Sequence, residues 1–157
     1  MKKLCILGLG LLLQSYTASS EDFISDFNHE VYGAYSKWYD KQIINYKFVY
    51  NPNCRGCGTY SVKVTDNKIE EVLDLDTKEY IDFEYLEIKT IDMLFKEIMR
   101  GNNNYYIIDA EYDSNLGFPK KVFLDKTPYM ADEEISYSVS DLIYINPTPS
   151  VATSVNY

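Results

Sequence analysis

Early in the chain, apolar side chains recur at Phe27, Val31, Tyr35 and Trp38, with Tyr32 and Tyr39 widening the stripe. Steps of three and four place them along one side of a helical spiral, which predicts an amphipathic helix over Ser25–Gln42. The period then changes to two. In INYKFVYN, Tyr46, Phe48 and Tyr50 alternate with Asn45, Lys47 and Val49, the signature of a strand. Beyond NPNCRGCG, Tyr60, Val62 and Val64 alternate with polar residues as far as Asp66-Asn67, two residues that tolerate positive φ and suit a tight hairpin turn. A returning strand is expected over Lys68–Leu75.

That hairpin carries a register conflict. A two-residue turn pairs Val64 with Ile69 but sets Val62 opposite Glu71, whereas Val72 is the apolar residue that belongs there. A bulge near Glu70-Glu71 resolves it, moving Val72 and Asp74 onto the inward register. The stretch Asp76–Lys89 has no clear period, and its IDFEYLEI segment is assigned a short strand. Thr90 then caps a second helix, with Ile91, Leu94, Phe95, Ile98 and Met99 on one face, Asp92 in the first turn and Gly101 at the end. Tyr106, Ile108, Ala110 and Tyr112 alternate as a strand, SNLG turns the chain, and Lys120–Leu124 return. Pro119 marks an edge or an early unpaired position. Ile135, Tyr137 and Val139 open a last strand running to Ile145, and residues 146–157 lack a core-forming pattern and read as a flexible tail.

Helix, strands, helix, strands is an α+β order, arranged as two α-β-β(-β) halves. Without long α/β alternation to build a parallel sheet, efficient burial is an antiparallel sheet with both helices packed on one face. The other face is then expected to carry tyrosine and charge.

The N-terminus adds a compartment. Two lysines, an apolar run over Leu4–Leu13 and the small residues Ala18-Ser19-Ser20 form an export signal over residues 1–20, and Cys5 falls inside its apolar region. The run is too short for the roughly 20 residues a membrane-spanning helix needs, so no transmembrane segment is expected after cleavage. The implied location is periplasmic or secreted. Cleavage removes Lys2 and Lys3 and no acid, leaving 13 basic against 24 acidic residues, a net charge of −11. So acidic a chain lacks the basic stripe that releases counterions from phosphates, which excludes nucleic acid as the expected partner. Residues 21–145 form a single domain. The 16 tyrosines supply large half-polar surfaces.

Candidate chemistry is sparse. Cys54 and Cys57 form a C-x-x-C on a loop between two strands. Thioredoxin-like catalysis needs the first thiol at a helix N-terminus, but Gly58, Thr59 and a strand follow here, with Arg55 the one thiolate-favouring neighbour. Zinc needs four ligands, and the chain offers one histidine, His29, in the first helix. An oxidising compartment favours a local disulfide, with redox activity and metal binding as the alternatives. DAEYDSNLG spaces oxygens as a calcium loop might, but Ser114 and Lys120 stand where Gly and Glu are required, so a hairpin turn is the better reading. Asp132-Glu133-Glu134, a possible cation site with the Asp125 loop, reads as a solvated entry to a strand. His29 lies between Asn28 and Glu30 and reads as exposed.

Taken together, the Trp38 helix, the Tyr46-Phe48-Tyr50 strand ending in a cysteine pair, VKVTDNKI, TIDMLFKEI, AEYDSNLGFPKKVFLD and the acidic DEE before ISYSV resemble the small exported bacterial proteins grouped as domain of unknown function 6174. The resemblance spans about Trp38 to Val139 and implies fold and compartment, with no reaction, cofactor or catalytic residue to carry over. The expectation is a non-catalytic exported module, without cofactor or metal, that binds a protein or envelope component. Its candidate contact surface is Tyr46, Phe48, Tyr50, Tyr112 and Tyr137, together with the acidic loops. The alternative is a thiol-disulfide factor using Cys54 and Cys57.

Overall fold

A computed structural model of the protein describes residues 20–101, 104–130 and 133–144. Nearly all of the expected signal and the C-terminal tail lie outside the described residues. Helix α1 (Ser20–Asp40) leads into β1 (Tyr46–Asn51), β2 (Tyr60–Thr65) and β3 (Lys68–Asp74). Helix α2 (Ile91–Gly101) follows, then β4 (Ile107–Tyr112), β5 (Pro119–Asp125) and β6 (Ile135–Tyr144). The strands form one antiparallel sheet in the order β3-β2-β1-β6-β5-β4, so the chain is α+β. No described helix is long and apolar enough to cross a membrane.

The β2-β3 hairpin turns at Asp66 and Asn67, with φ of 50° and 59°. Val64 pairs with Ile69 and Val62 with Val72, while the register slips between Lys63 and Val64. Glu70 is therefore the bulged residue, as the pattern required: skipping it lets Val62 and Val72 share the buried face. A second bulge reverses the parity of β6. Val49 opposes Ser140 and Lys47 opposes Ile143, and Asp141 takes a φ of 51° between them. Tyr137 and Val139 point inward before this break, and Leu142 packs against the core after it. Pro119 is the first residue of β5 and pairs with Tyr112, but β5 itself lies inside the sheet, with β4 as the edge. The IDFEYLEI segment is not a strand. The residue before it, Tyr80, makes one isolated bridge to Leu73, Ile81 N–H donates to Val72 O at 3.0 Å, and the segment then turns, Leu86 N–H donating to Phe83 O at 3.0 Å.

The core lies where the helices meet the sheet. Trp38 packs edge-on against Tyr46 (5.4 Å between rings) and near Phe118 (6.5 Å), and Phe95 stacks on Tyr112 (6.1 Å) while meeting Tyr35 edge-on (5.2 Å). The Thr90 hydroxyl caps α2 by accepting from Met93 N–H at 3.3 Å, and Tyr46 OH accepts from Ile91 N–H at 3.0 Å. One phenol on the sheet therefore satisfies a buried amide in the first turn of α2.

The β4-β5 turn closes against α1. Asp113 Oδ1 accepts from Asn115 and Leu116 N–H at 3.0 and 2.7 Å, and Gly117 follows with a φ of 83°. The DAEYDSNLG segment is thus a hairpin whose Asp113 carboxylate is engaged by its own turn. Gly117 lies so close to Ala34 O and Lys37 Cβ that a side chain would overlap both.

Candidate functional site

Five residues singled out as a contact surface occupy the core instead. Tyr46, Phe48, Tyr50 and Tyr137 are 2%, 0%, 3% and 1% exposed, and Tyr112 is half-buried beneath Phe95. Their alternation was correctly assigned to one face, but that face is the covered one. The aromatic row Tyr46-Phe48-Tyr50 continues across the sheet to Tyr137, 5.9 Å from Tyr50, within the buried core. Burial pushes the hydroxyls of all four tyrosines well above the usual phenol range. The alternate positions Lys47, Lys63, Glu71, Lys121, Asp109 and Glu111 belong to the opposite face, so the expectation of tyrosine there is corrected: it is a face of charge, with exposed Ile107, Phe123 and Ile143 among it.

The two cysteines are brought together. Their sulfurs lie at disulfide distance, with Cα atoms 5.3 Å apart, and Cys57 N–H donates to Cys54 O at 3.2 Å across the turn. Gly56, with a φ of 81°, reverses the chain. The loop is anchored at both ends. Asn51 Oδ1 accepts from Asn53 N–H at 2.8 Å, Asn53 Nδ2 donates to Ser136 Oγ at 3.3 Å, and Gly58 N–H donates to Tyr60 OH at 3.1 Å. No helix follows Cys57, since the chain enters β2, so neither sulfur faces the amides of a helix start.

This loop forms one wall of a cleft of about 820 Å³. Tyr85, Leu86 and Ile88 on the approach to α2 form a second wall, and Phe123 with Ile135 and Ser136 a third. Tyr85 is 87% exposed and Phe123 37%. A volume of this size falls within the range of small-ligand and peptide-segment sites. Arg55, Glu87, Lys89 and Glu134 supply charge at its boundary. No histidine lines it, since His29 is exposed on α1. Asp125, expected near a cation site, is buried and accepts from Thr127 N–H at 3.0 Å, while Asp132 lies outside the described residues. Among the described residues, no three His, Cys, Asp or Glu side chains gather as a metal-ligand group.

Sequence reasoning missed Tyr85, Leu86, Lys89 and Phe123. The first three lie in the segment without a period, whose position depends on the bridge at Tyr80 and the turn at Phe83. Phe123 did leave a signal. In KKVFLD, Val122 and Leu124 take the inward positions, so the large apolar residue between them must face out.

A family model of the family of unknown function DUF6174 matches residues 30–144. The chain belongs to this family. The match starts within α1 and ends with β6, so the DUF6174 unit contains the complete sheet and both cleft walls contributed by loops. No curated protein and no solved structure matches the chain.

Proposed function

We propose that this DUF6174 protein is an exported, periplasmic or secreted, non-catalytic module that holds a protein or envelope component in the cleft beside Cys54 and Cys57. The supporting observation is the placement of Tyr85 and Phe123, two solvent-accessible aromatic rings that line one concavity instead of being scattered. Covering a side chain of this kind contributes about 1.5–3 kcal/mol, so two rings account for a useful share of a moderate affinity. In this reading Cys54 and Cys57 form a disulfide that stiffens one wall. The same reading places both helices over one sheet face, supported by Tyr46, which touches Trp38 of α1 and Ile91 of α2. It treats the α-β-β-β order on either side of residue 90 as two halves of one plan.

The test is a photoactivatable residue placed at Tyr85, at Phe123, or at Lys47 on the charged sheet face, in the cell that exports the protein. Discrete adducts from the first two positions and none from Lys47 support the reading. Indistinguishable labelling from all three sinks it. A thiol-disulfide role is the second reading, supported by the cysteine pair at the cleft mouth with Arg55 between. Insulin reduction that disappears in the Cys54→Ser, Cys57→Ser variant would favour it.

A further inference from the structure

A second cleft, of about 740 Å³, opens along the outer side of α2 and collects basic side chains in an otherwise acidic protein. Lys96 and Arg100 stand one helical turn apart on α2, Lys89 enters just before the helix, and Lys126 reaches in from the end of β5. The single carboxylate in the lining, Glu97, is ion-paired with Lys89, although its Oε2 accepts no hydrogen bond among the described residues. Its Oε2 lies 3.3 Å from Lys89 Nζ, with both side chains only 18% exposed. Lys96, Arg100 and Lys126 make no salt bridge among the described residues. Three exposed cations thus share one concavity without an ion pair at bonding distance, Lys96 alone lying within electrostatic reach of a further carboxylate, Asp92.

Such an arrangement is costly in isolation, because like charges on one rim repel and only Lys96 has a nearby carboxylate, Asp92, to offset it. It becomes favourable when a multivalent anion enters. The Arg100 guanidinium presents a fork of donors that suits an oxyanion, and the two ammonium groups act as mobile point charges beside it. Tyr105 also lines the cleft, and burial holds its phenol protonated beyond the ordinary range, so its hydroxyl is available as a neutral donor. Elsewhere in the core, Tyr137 is 1% exposed and its hydroxyl has no hydrogen-bond partner among the described residues; burial first, and then the Glu97 carboxylate, holds that phenol protonated.

We infer that the α2 cleft is a binding site for a small ligand carrying several phosphate groups, held by Lys96, Arg100 and Lys126 with Tyr105 as a further donor. The net charge of the whole chain opposes such a ligand at long range, so recognition depends on close contact and weakens steeply as salt rises. This site does not depend on the partner proposed for the first cleft, and either reading can fail alone.

The probe is inorganic triphosphate, titrated calorimetrically into the mature protein at low and at moderate salt. Saturable binding is expected, weakened at least tenfold by Arg100→Ser with Lys126→Ser and again by Lys96→Ser alone. The control is Lys47→Ser with Lys68→Ser, which makes the same change in net charge away from the cleft and should leave the affinity within about twofold. Each variant is first shown to unfold at the parent midpoint, and all three α2-cleft positions are exposed enough for this to be expected. Absence of saturable binding, undiminished affinity in the cleft variants, or an equal loss in the control overturns the inference.

Discussion

Adding one methyl group at Gly117, compared with the same addition at two other glycines, tests how the β4-β5 turn is docked on α1. Gly117 has a φ of 83°, a backbone region that costs an alanine about 1–2 kcal/mol. In addition, its new Cβ would overlap Ala34 O and approach Lys37 Cβ at 2.9 Å. The overlapped atom is a helix carbonyl, which moves only if α1 or the turn moves with it. Displacements of that kind cost about 1–3 kcal/mol. Gly117→Ala should therefore lose about 2–5 kcal/mol, a large part of a typical domain's stability. Gly56 has a similar φ of 81° but nothing within 4 Å of the added carbon, so Gly56→Ala should lose the backbone term alone, about 1–2 kcal/mol. Gly33 lies within α1, again with open space around it, and Gly33→Ala should gain about 0.5–1 kcal/mol from helix propensity. Urea unfolding of the three variants and the parent reads the series, with m-values confirming that the unfolded surface is unchanged. If Gly117→Ala falls within 0.5 kcal/mol of Gly56→Ala, a number well below the overlap term, the close approach to Ala34 does not hold the turn and the reasoning is refuted.

Tyr46→Phe keeps the ring against Trp38 but leaves Ile91 N–H, now 3.0 Å from the phenol oxygen, buried without an acceptor. A loss of about 1–3 kcal/mol is expected, and an unchanged urea midpoint would show that this bond does not matter. Alkaline pH should act through the buried phenols. Tyr46, Tyr50, Tyr112 and Tyr137 all have folded pKa values raised above the ordinary 10.0, so the native state holds protons that the unfolded chain releases. Their contribution is fully present below pH 10 and falls as pH rises beyond it, by up to about 1.4 kcal/mol per pH unit for each tyrosine. Tyrosinate absorbance should accordingly rise in two stages, the second coinciding with loss of circular dichroism, and a single smooth titration with the fold intact would contradict it. The proposed Cys54–Cys57 disulfide closes so short a loop that its removal should cost only roughly 2 kcal/mol on the loop-entropy relation. Thiol counting on the denatured, unreduced protein spanning residues 21–157 should find none, and two free thiols would rule the bond out.

The bulge at Glu70 and the helix Ile91–Gly101 were legible because each is settled within a few residues. In the hairpin, Asp66-Asn67 sets the turn, the valines set the face, and only one skipped residue reconciles the two. In α2, the Thr90 cap, the stripe from Ile91 to Ile98 and the terminal Gly101 agree with one another. The cysteine pair was legible for the same reason, since a four-residue turn brings its ends together whatever the rest of the chain does.

A period of two groups Tyr46, Phe48 and Tyr50 on one face but says nothing about whether that face is buried, because tyrosine suits a buried sheet as well as a contact surface. Tertiary packing made that choice by laying Trp38 on Tyr46 and Phe95 on Tyr112, and it sent the charged positions outward. The pairing of β6 with β1 joins segments about ninety residues apart, and no local pattern encodes it. The clefts exist only after that pairing, since Cys54, Tyr85 and Phe123, or Lys89, Arg100 and Lys126, are distant in the chain until the sheet closes. Turns and amphipathic faces were thus determined by neighbouring residues, whereas covered faces and concavities were decided by which surfaces could exclude water together.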